Sequence, residues 1–313
     1  MRRPMARHQE PLFDPGPRHP KPTARLDHLR ALDKPLPQDR LPGGSQLVPA
    51  MADGLVARLV KPHSAEKARM VSADLGTVGR AMRRQWFDVS YFELFSGPGL
   101  LIDDVTGEEV AGSPLQALAI QSPFDNYVFS DDMPLCADAL NKRIGSRPNV
   151  RVLCGDANDF EHLERICALI DPRDLVIAYL DPAKPNLYFE TVAYLARRFR
   201  FIDFIINLPF SGIHRSLAVG GCDRPALMLN HPRPQKLIHA DPGRTAQNIR
   251  DHYDAQLRNI GFEHIARRCV NTTRTNSPLY DIVLASRHPR AVELWEKANR
   301  LPKSAQLGLG GEL

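Results

Sequence analysis

The hydrophobic positions of this 313-residue chain fall into two rhythms that take turns from about residue 64 onward. Ala68, Val71, Leu75, Val78 and Met82 recur at three and four residues and make one apolar stripe, so a helix is expected from about Ser64, its N-cap, to Met82. Residues 88 to 95 instead alternate and are rich in aromatics, which reads as a strand; it stops at Ser96-Gly97-Pro98-Gly99. Four further strands are nearly unbroken apolar runs: Tyr127 to Asp131, Val150 to Cys154, Leu175 to Leu180 and Ile202 to Leu208. Helical stripes separate them, at Pro134 to Arg143, at Phe160, Leu163, Ile166, Cys167 and Ile170, and at Tyr188 to Arg198. Continuous apolar strands alternating with helices predict an α/β fold around a parallel sheet covered on both faces. Ile249, Tyr253, Leu257 and Ile260 mark a later helix, Glu263 to Val270 and Leu279 to Ser286 an antiparallel hairpin on the sheet edge, and Ala291 to Asn299 a last helix.

Two interruptions stand out. Asp103 to Glu109 is an acidic insertion with a Thr-Gly centre, expected as a short hairpin or exposed loop, after which Ser113 as N-cap and Pro114 at the first helical position start a helix. Residues 211 to 243 carry prolines, histidines and Gly220-Gly221 with little periodicity, and a loop of that length after the fifth strand is expected to be a lid or substrate segment.

The chemistry gathers where strands end. Two glycines after the first strand let a backbone approach a ligand where a side chain would collide, although such turns also serve as plain connections. Small molecules bind outside the carboxyl ends of strands in open α/β sheets, which places Glu93 just beneath the expected pocket. The other strands end in Asp131, in Gly155-Asp156-Ala157-Asn158, in Asp181-Pro182-Ala183-Lys184 and in Asn207-Leu208-Pro209. Asp131 is placed to accept from a ribose diol, or to cap the helix that follows. A plain turn needs only one Gly or Pro and has no reason to carry an acid each time.

Composition changes the picture at the ends. The first 50 residues hold ten of the 27 prolines and nine Lys/Arg against five Asp/Glu, so they supply +4 of the net charge of +5. Residues 1–55 are expected as a disordered Pro-rich basic arm, residues 60–300 as the folded domain and residues 301–313 as a flexible tail. The arm reads either as a solvated leader or as a contact to nucleic acid or an acidic partner. No stretch is apolar enough for a membrane span, and the odd, scattered cysteines at 136, 154, 167, 222 and 269 fit a reduced compartment; a cytoplasmic protein is expected. Cys222 with His231 and His239 lacks the spacing of a structural metal site, and no metal is expected.

Five β/α units, a helix and a hairpin resemble the Rossmann-like class I S-adenosylmethionine-dependent methyltransferase fold, with a mostly parallel seven-stranded sheet, a C-terminal antiparallel hairpin and helices on both faces. The resemblance implies S-adenosylmethionine as cofactor. It implies that Glu93, Ser96, Gly97 and Gly99 lie along the methionine part, Asp131 at the ribose, Asp156 at the adenine, and Asp181 beside the transferred methyl. More narrowly, residues 60 to 298 resemble the bacterial three-Cys-motif partner protein family. The motifs are Pro62-His63-Ser64-Ala65-Glu66-Lys67, Phe95 to Gly99, Gly112 to Leu115, Cys154 to Asn158, Tyr179 to Pro182 and Ile206 to Pro209. Ala183-Lys184 depart from the family's aromatic-glycine pair, and Glu93 stands where Asp is commoner. That likeness implies a separate three-cysteine-motif protein as partner. Asp181 and Asn207 are the candidate catalytic residues, orienting or deprotonating an acceptor that could be nucleic acid or a nucleobase; a non-catalytic adaptor subunit is the alternative. A nicotinamide oxidoreductase fits less well, since Gly97-x-Gly99 has no third glycine at the required place.

Overall fold

The structure is a computed structural model that describes residues 46–61, 67, 75, 86, 88–120, 124–218, 220, 223–271 and 278–300. The helix expected over 64–82, with its Ser64 cap and His63, lies almost wholly outside the described residues; Lys67 and Leu75 within it are helical.

A seven-stranded sheet organises the fold. Its centre is β3 (Val89–Glu93), flanked on one side by β6 (Asn126–Asp131) and β7 (Val150–Cys154), and on the other by β8 (Leu175–Leu180) and β9 (Ile202–Leu208). These five strands are mutually parallel, while β11 (Pro278–Ser286) joins β9 antiparallel and β10 (His264–Asn271) closes the edge. This is the α/β, Rossmann-like arrangement expected, C-terminal hairpin included. The chain leaves β3 in one direction through β6 and β7 and resumes in the other at β8. The crevice between the carboxyl ends of β3 and β8 is therefore the switch point where such sheets take ligands.

Both faces are packed. Phe92, Val128, Val176, Ala178, Phe204 and Ile206 point to the side covered by α3 (Phe160–Cys167), α4 (Phe189–Arg198) and α7 (Pro242–Asn259). Val89, Tyr91, Tyr127, Phe129 and Tyr179 point to the side covered by α1 (Ser113–Ala119), α2 (Pro134–Ile144) and α8 (Pro289–Arg300). Burial on both sides is why these strands read as unbroken apolar runs.

Three expectations are corrected. The arm does not run to residue 55: β1 (Gln46–Pro49) and β2 (Val56–Val60) pair antiparallel, and β2 lies parallel to β4 (Leu100–Asp103), which pairs with β5 (Glu109–Ala111). The acidic insertion is thus a hairpin that recruits an upstream hairpin into a second, four-stranded sheet whose core is Val48, Ala50, Ala57, Leu100 and Ile102. Ser113 is not a cap. It is the first helical residue, Gly112 stands at the N-cap, and the Ser113 hydroxyl is drawn to a buried carboxylate instead. The 211–243 segment is largely helical, with α5 (Phe210–Ala218), α6 (Asp223–Leu229) and a 3-10 turn (Pro234–Leu237); Phe210, Ile213, Leu217, Met228 and Leu229 bury into the core. Phe210, Ile213 and Leu217 do recur at three and four residues, a short helical stripe obscured in the sequence by the glycines, prolines and histidines that follow it.

Candidate functional site

The glycine turn sits at the carboxyl end of β3. Gly97 and Gly99 take φ of +63° and +84°, a region that suits glycine. A Cβ on Gly99 would lie 2.8 Å from the Leu140 Cδ1, so the turn is also pressed against α2. The Ser96 amide and hydroxyl both donate to the Ser130 carbonyl at 2.9 Å, and the Gly97 amide donates to Asp131 Oδ2 at 2.8 Å. Asp131 Oδ1 accepts from the Met133 amide at 3.0 Å. Asp131 is buried, and both its oxygens are thereby committed to shaping the turn and the entry to α2. The exposed acid at this strand end is its neighbour Asp132, whose carboxyl is pushed above its ordinary range by burial of its surroundings and by the Asp131 charge. Asp156 is exposed at the end of β7 and accepts from the Asn158 amide at 2.9 Å.

Glu93 lies under the turn with 1% of its surface exposed. Tyr91 donates to Oε1 at 2.6 Å and Ser113 to Oε2 at 2.9 Å. Desolvation outweighs both hydrogen bonds, and with a smaller push from Asp181 it raises the carboxyl to about 8, so Glu93 is mostly protonated at neutral pH.

Asp181 follows β8. Its Oδ1 is paired with the Lys67 ammonium and accepts from Asn207 Nδ2 at 2.8 Å, while Oδ2 accepts from the Tyr179 hydroxyl at 3.0 Å. Lys67 also lies over the Tyr280 ring, 5.4 Å from its centroid. Donating through its nitrogen turns the Asn207 amide so that Oδ1 is buried without a partner among the described residues. A buried lone acceptor of this kind is rare and costs about 1–3 kcal/mol unless something donates to it.

The structure thus places Glu93, Ser96, Gly97, Gly99, Asp131, Asp156, Asp181 and Asn207 at the carboxyl ends of the parallel strands, and Asp181 and Asn207 in direct contact. Sequence reasoning missed Arg58, Asp132 and Lys184. Arg58, from β2, lies against Gly97 with Nη2 3.7 Å from Asp131 Oδ2. Lys184 is half-buried after β8; burial, helped by Arg224 and Arg58 against Asp132, pulls its ammonium down to about 8. The Asp131-Asp132 pair was the one visible signal. Cys222 lies outside the described residues; His231 and His239 cap local turns, their Nδ1 atoms accepting from the Arg233 and Asp241 amides. Among the described residues no helix is long and apolar enough to cross a membrane, and no group of three His, Cys, Asp or Glu could hold a metal ion.

No protein-family model matches the chain, and no curated protein sequence matches it. Among solved structures it is similar to protein LPL1258 from Legionella pneumophila, with 12% identity, 78% of this chain and 94% of that chain covered, and a TM-score of 0.46. It is also similar to the O-methyltransferase from Bacillus cereus in complex with SAH (14% identity, 72% and 82% covered, TM-score 0.39). A third likeness is to Aeropyrum pernix fibrillarin with natively bound S-adenosyl-L-methionine (14% identity, 63% and 66% covered, TM-score 0.33).

Proposed function

We propose that this chain is an S-adenosylmethionine-binding, methyltransferase-like protein whose acceptor is held at Asp181 and Asn207. The observation that carries the reading is the bond from the Gly97 amide to Asp131, which fixes a positive-φ glycine turn at the switch point of the sheet. The residues present suit the cofactor. Gly97 leaves open the volume that a side chain would fill, and Asp132 and Asp156 offer exposed carboxylates at the next two strand ends for a ribose and an adenine amino group. Asp131, the expected ribose contact, acts here by holding the turn, with Asp132 taking the ribose.

When bound, the cofactor supplies an electrophilic methyl on a sulfonium. The chain's part is to present a nucleophile in line and to take its proton. Asn207 Oδ1, buried with no donor to it among the described residues, suits a donor group on the acceptor, such as an exocyclic nucleobase amino group. Asp181, paired with Lys67 and oriented by Tyr179 and Asn207, lies where positive charge develops as the amine is alkylated. A three-cysteine-motif protein as partner and a nucleic acid or nucleobase as acceptor belong to this proposal. The alternative, a cofactor-binding adaptor without catalysis, draws support from the full occupation of Asp181 by protein groups and from the Ala183-Lys184 departure.

Calorimetric titration of the purified chain with S-adenosylmethionine and with NADH tests the reading. S-adenosylmethionine is expected to bind, NADH not, and Asp132→Asn and Asp156→Asn are each expected to weaken binding about tenfold, as befits one hydrogen bond to a charged group. A folded protein that binds only NADH, or neither, refutes it. Cofactor binding without transfer to any amine, with or without a three-cysteine partner, leaves the adaptor.

A further inference from the structure

Two arginines meet the small sheet, and their surroundings differ. Arg143, on α2, uses all its donors: Nε and Nη2 on Asp53, Nη1 on the Val56 and Pro98 carbonyls, and Nη2 also on the Leu55 carbonyl, at 2.6–3.2 Å. Arg58, on β2, is nearly as enclosed, with 18% of its side chain exposed, yet it makes no N–H···O bond of ordinary length among the described residues. Its Asp131 contact is 3.7 Å, its Nη2 lies 4.0 Å from the Cys136 sulfur, and its Nε is buried with no partner among the described residues. Asp131 accepts from the Gly97 and Met133 amides, and the Arg58 fork stands off from it. The guanidinium instead lies against Gly97, where an added Cβ would meet Nη2 at 3.7 Å, Nε at 3.8 Å and Cζ at 3.9 Å. Its planar face is laid along the glycine turn.

A guanidinium carries five donors in a fork that matches a carboxylate, and leaving them unused inside a protein is costly. We propose that Arg58 is a ligand-binding residue that takes the α-carboxylate of the cofactor's amino-acid end through a charge-assisted pair. This deepens the function proposed above and rests on it. The four-stranded sheet then has a purpose in the site: β2 reaches the turn only because the β4–β5 hairpin inserted after Gly99 gives it a strand to pair with. Lys184 and Arg224 add positive charge nearby, set against the carboxylates of Asp131, Asp132 and Asp156.

The test uses two ligands that differ only in the carboxylate, S-adenosylmethionine and its decarboxylated form, titrated calorimetrically into the full chain and into Arg58→Gln and Arg58→Lys. Wild type is expected to bind S-adenosylmethionine about 10- to 100-fold more tightly than the decarboxylated form, the range of one charge-assisted pair. Arg58→Gln is expected to erase that preference while leaving the decarboxylated ligand within about threefold, and Arg58→Lys to restore part of it. Equal wild-type affinity for the two ligands overturns the assignment even if both variants fail to fold. So does an Arg58→Gln protein that loses both ligands by the same factor, because Arg58 would then act only by shaping the turn. Binding of neither ligand by folded wild type overturns the cofactor reading and this assignment together.

Discussion

Replacing Glu93 with Gln should stabilise the protein, and more so as pH rises. The carboxyl is buried under the aromatic cluster of Tyr91, Phe124, Tyr127 and Phe129, and its value rises from 4.5 to about 8 chiefly through desolvation. A raised carboxyl means that the folded state holds its proton where the unfolded chain has lost it. Stability is therefore greatest below about pH 4.5 and falls as pH climbs towards 8. At about 1.4 kcal/mol per pH unit the full loss is about 5 kcal/mol, an upper bound for one site. Gln keeps the shape and can still accept from Tyr91 while offering its amide to the Ser113 hydroxyl, so it removes the penalty without opening a cavity. Urea denaturation of both proteins between pH 5 and 9 reads the difference directly, and titrations elsewhere, such as that of buried Asp203 near 6, cancel in it. The advantage of Glu93→Gln should be small at pH 5 and reach several kcal/mol at pH 9. A difference that stays flat, or shrinks, across that range would refute the reasoning.

Three further outcomes concern stability. Gly99→Ala puts a Cβ 2.8 Å from Leu140 in a left-handed conformation, and should cost about 1–3 kcal/mol by thermal unfolding. Asp281 has no exposed side-chain surface and pairs with Arg250 at 2.7 Å and Arg267 at 3.1 Å, so Asp281→Ala takes the carboxylate from Arg250 and leaves Arg267 only Asp254, and should cost about 3 kcal/mol in urea. Asp138→Ala, which breaks a pair with Lys142 more than half exposed on both sides, should cost under about 1 kcal/mol.

What was legible followed from burial on both sides. Leu175–Leu180 and Ile202–Leu208 could be read to the residue because strands buried on both faces have no polar face to blur their limits. Val150–Cys154, at the sheet edge and only partly buried, was legible from its apolar run alone. The helices against them announced themselves by an apolar stripe, as in Leu163, Ile166 and Cys167. β1 and β2 carry neither signal: Gln-Leu-Val-Pro and Val-Ala-Arg-Leu-Val are short, sit next to a Pro-rich stretch, and find their outer partner β4 some 40 residues on. Local pattern reports the face an element buries, and these strands bury theirs against a hairpin that the sequence marks only as an acidic interruption.

The same distinction separates the two halves of the site. Glu93, Gly97, Asp131, Asp156, Asp181 and Asn207 belong to the strand ends, so topology alone brings them together once the strands are recognised. The cations come from elsewhere: Arg58 from the small sheet and Lys67 from the segment before β3. Their meeting with Asp131 and Asp181 depends on tertiary packing, which no spacing in the chain encodes. This explains why the acids were found and Arg58 was not, while Lys67 stood out only as part of the motif from Pro62 to Lys67 and not as the partner of Asp181. It also makes the second sheet more than an insertion, since Arg143 ties Val56 and Pro98 to one guanidinium and so couples the strand bearing Arg58 to the glycine turn itself. A change that loosens β2 should therefore be felt first at the turn, whereas one that loosens β10 or β11, across the sheet, should leave the turn in place.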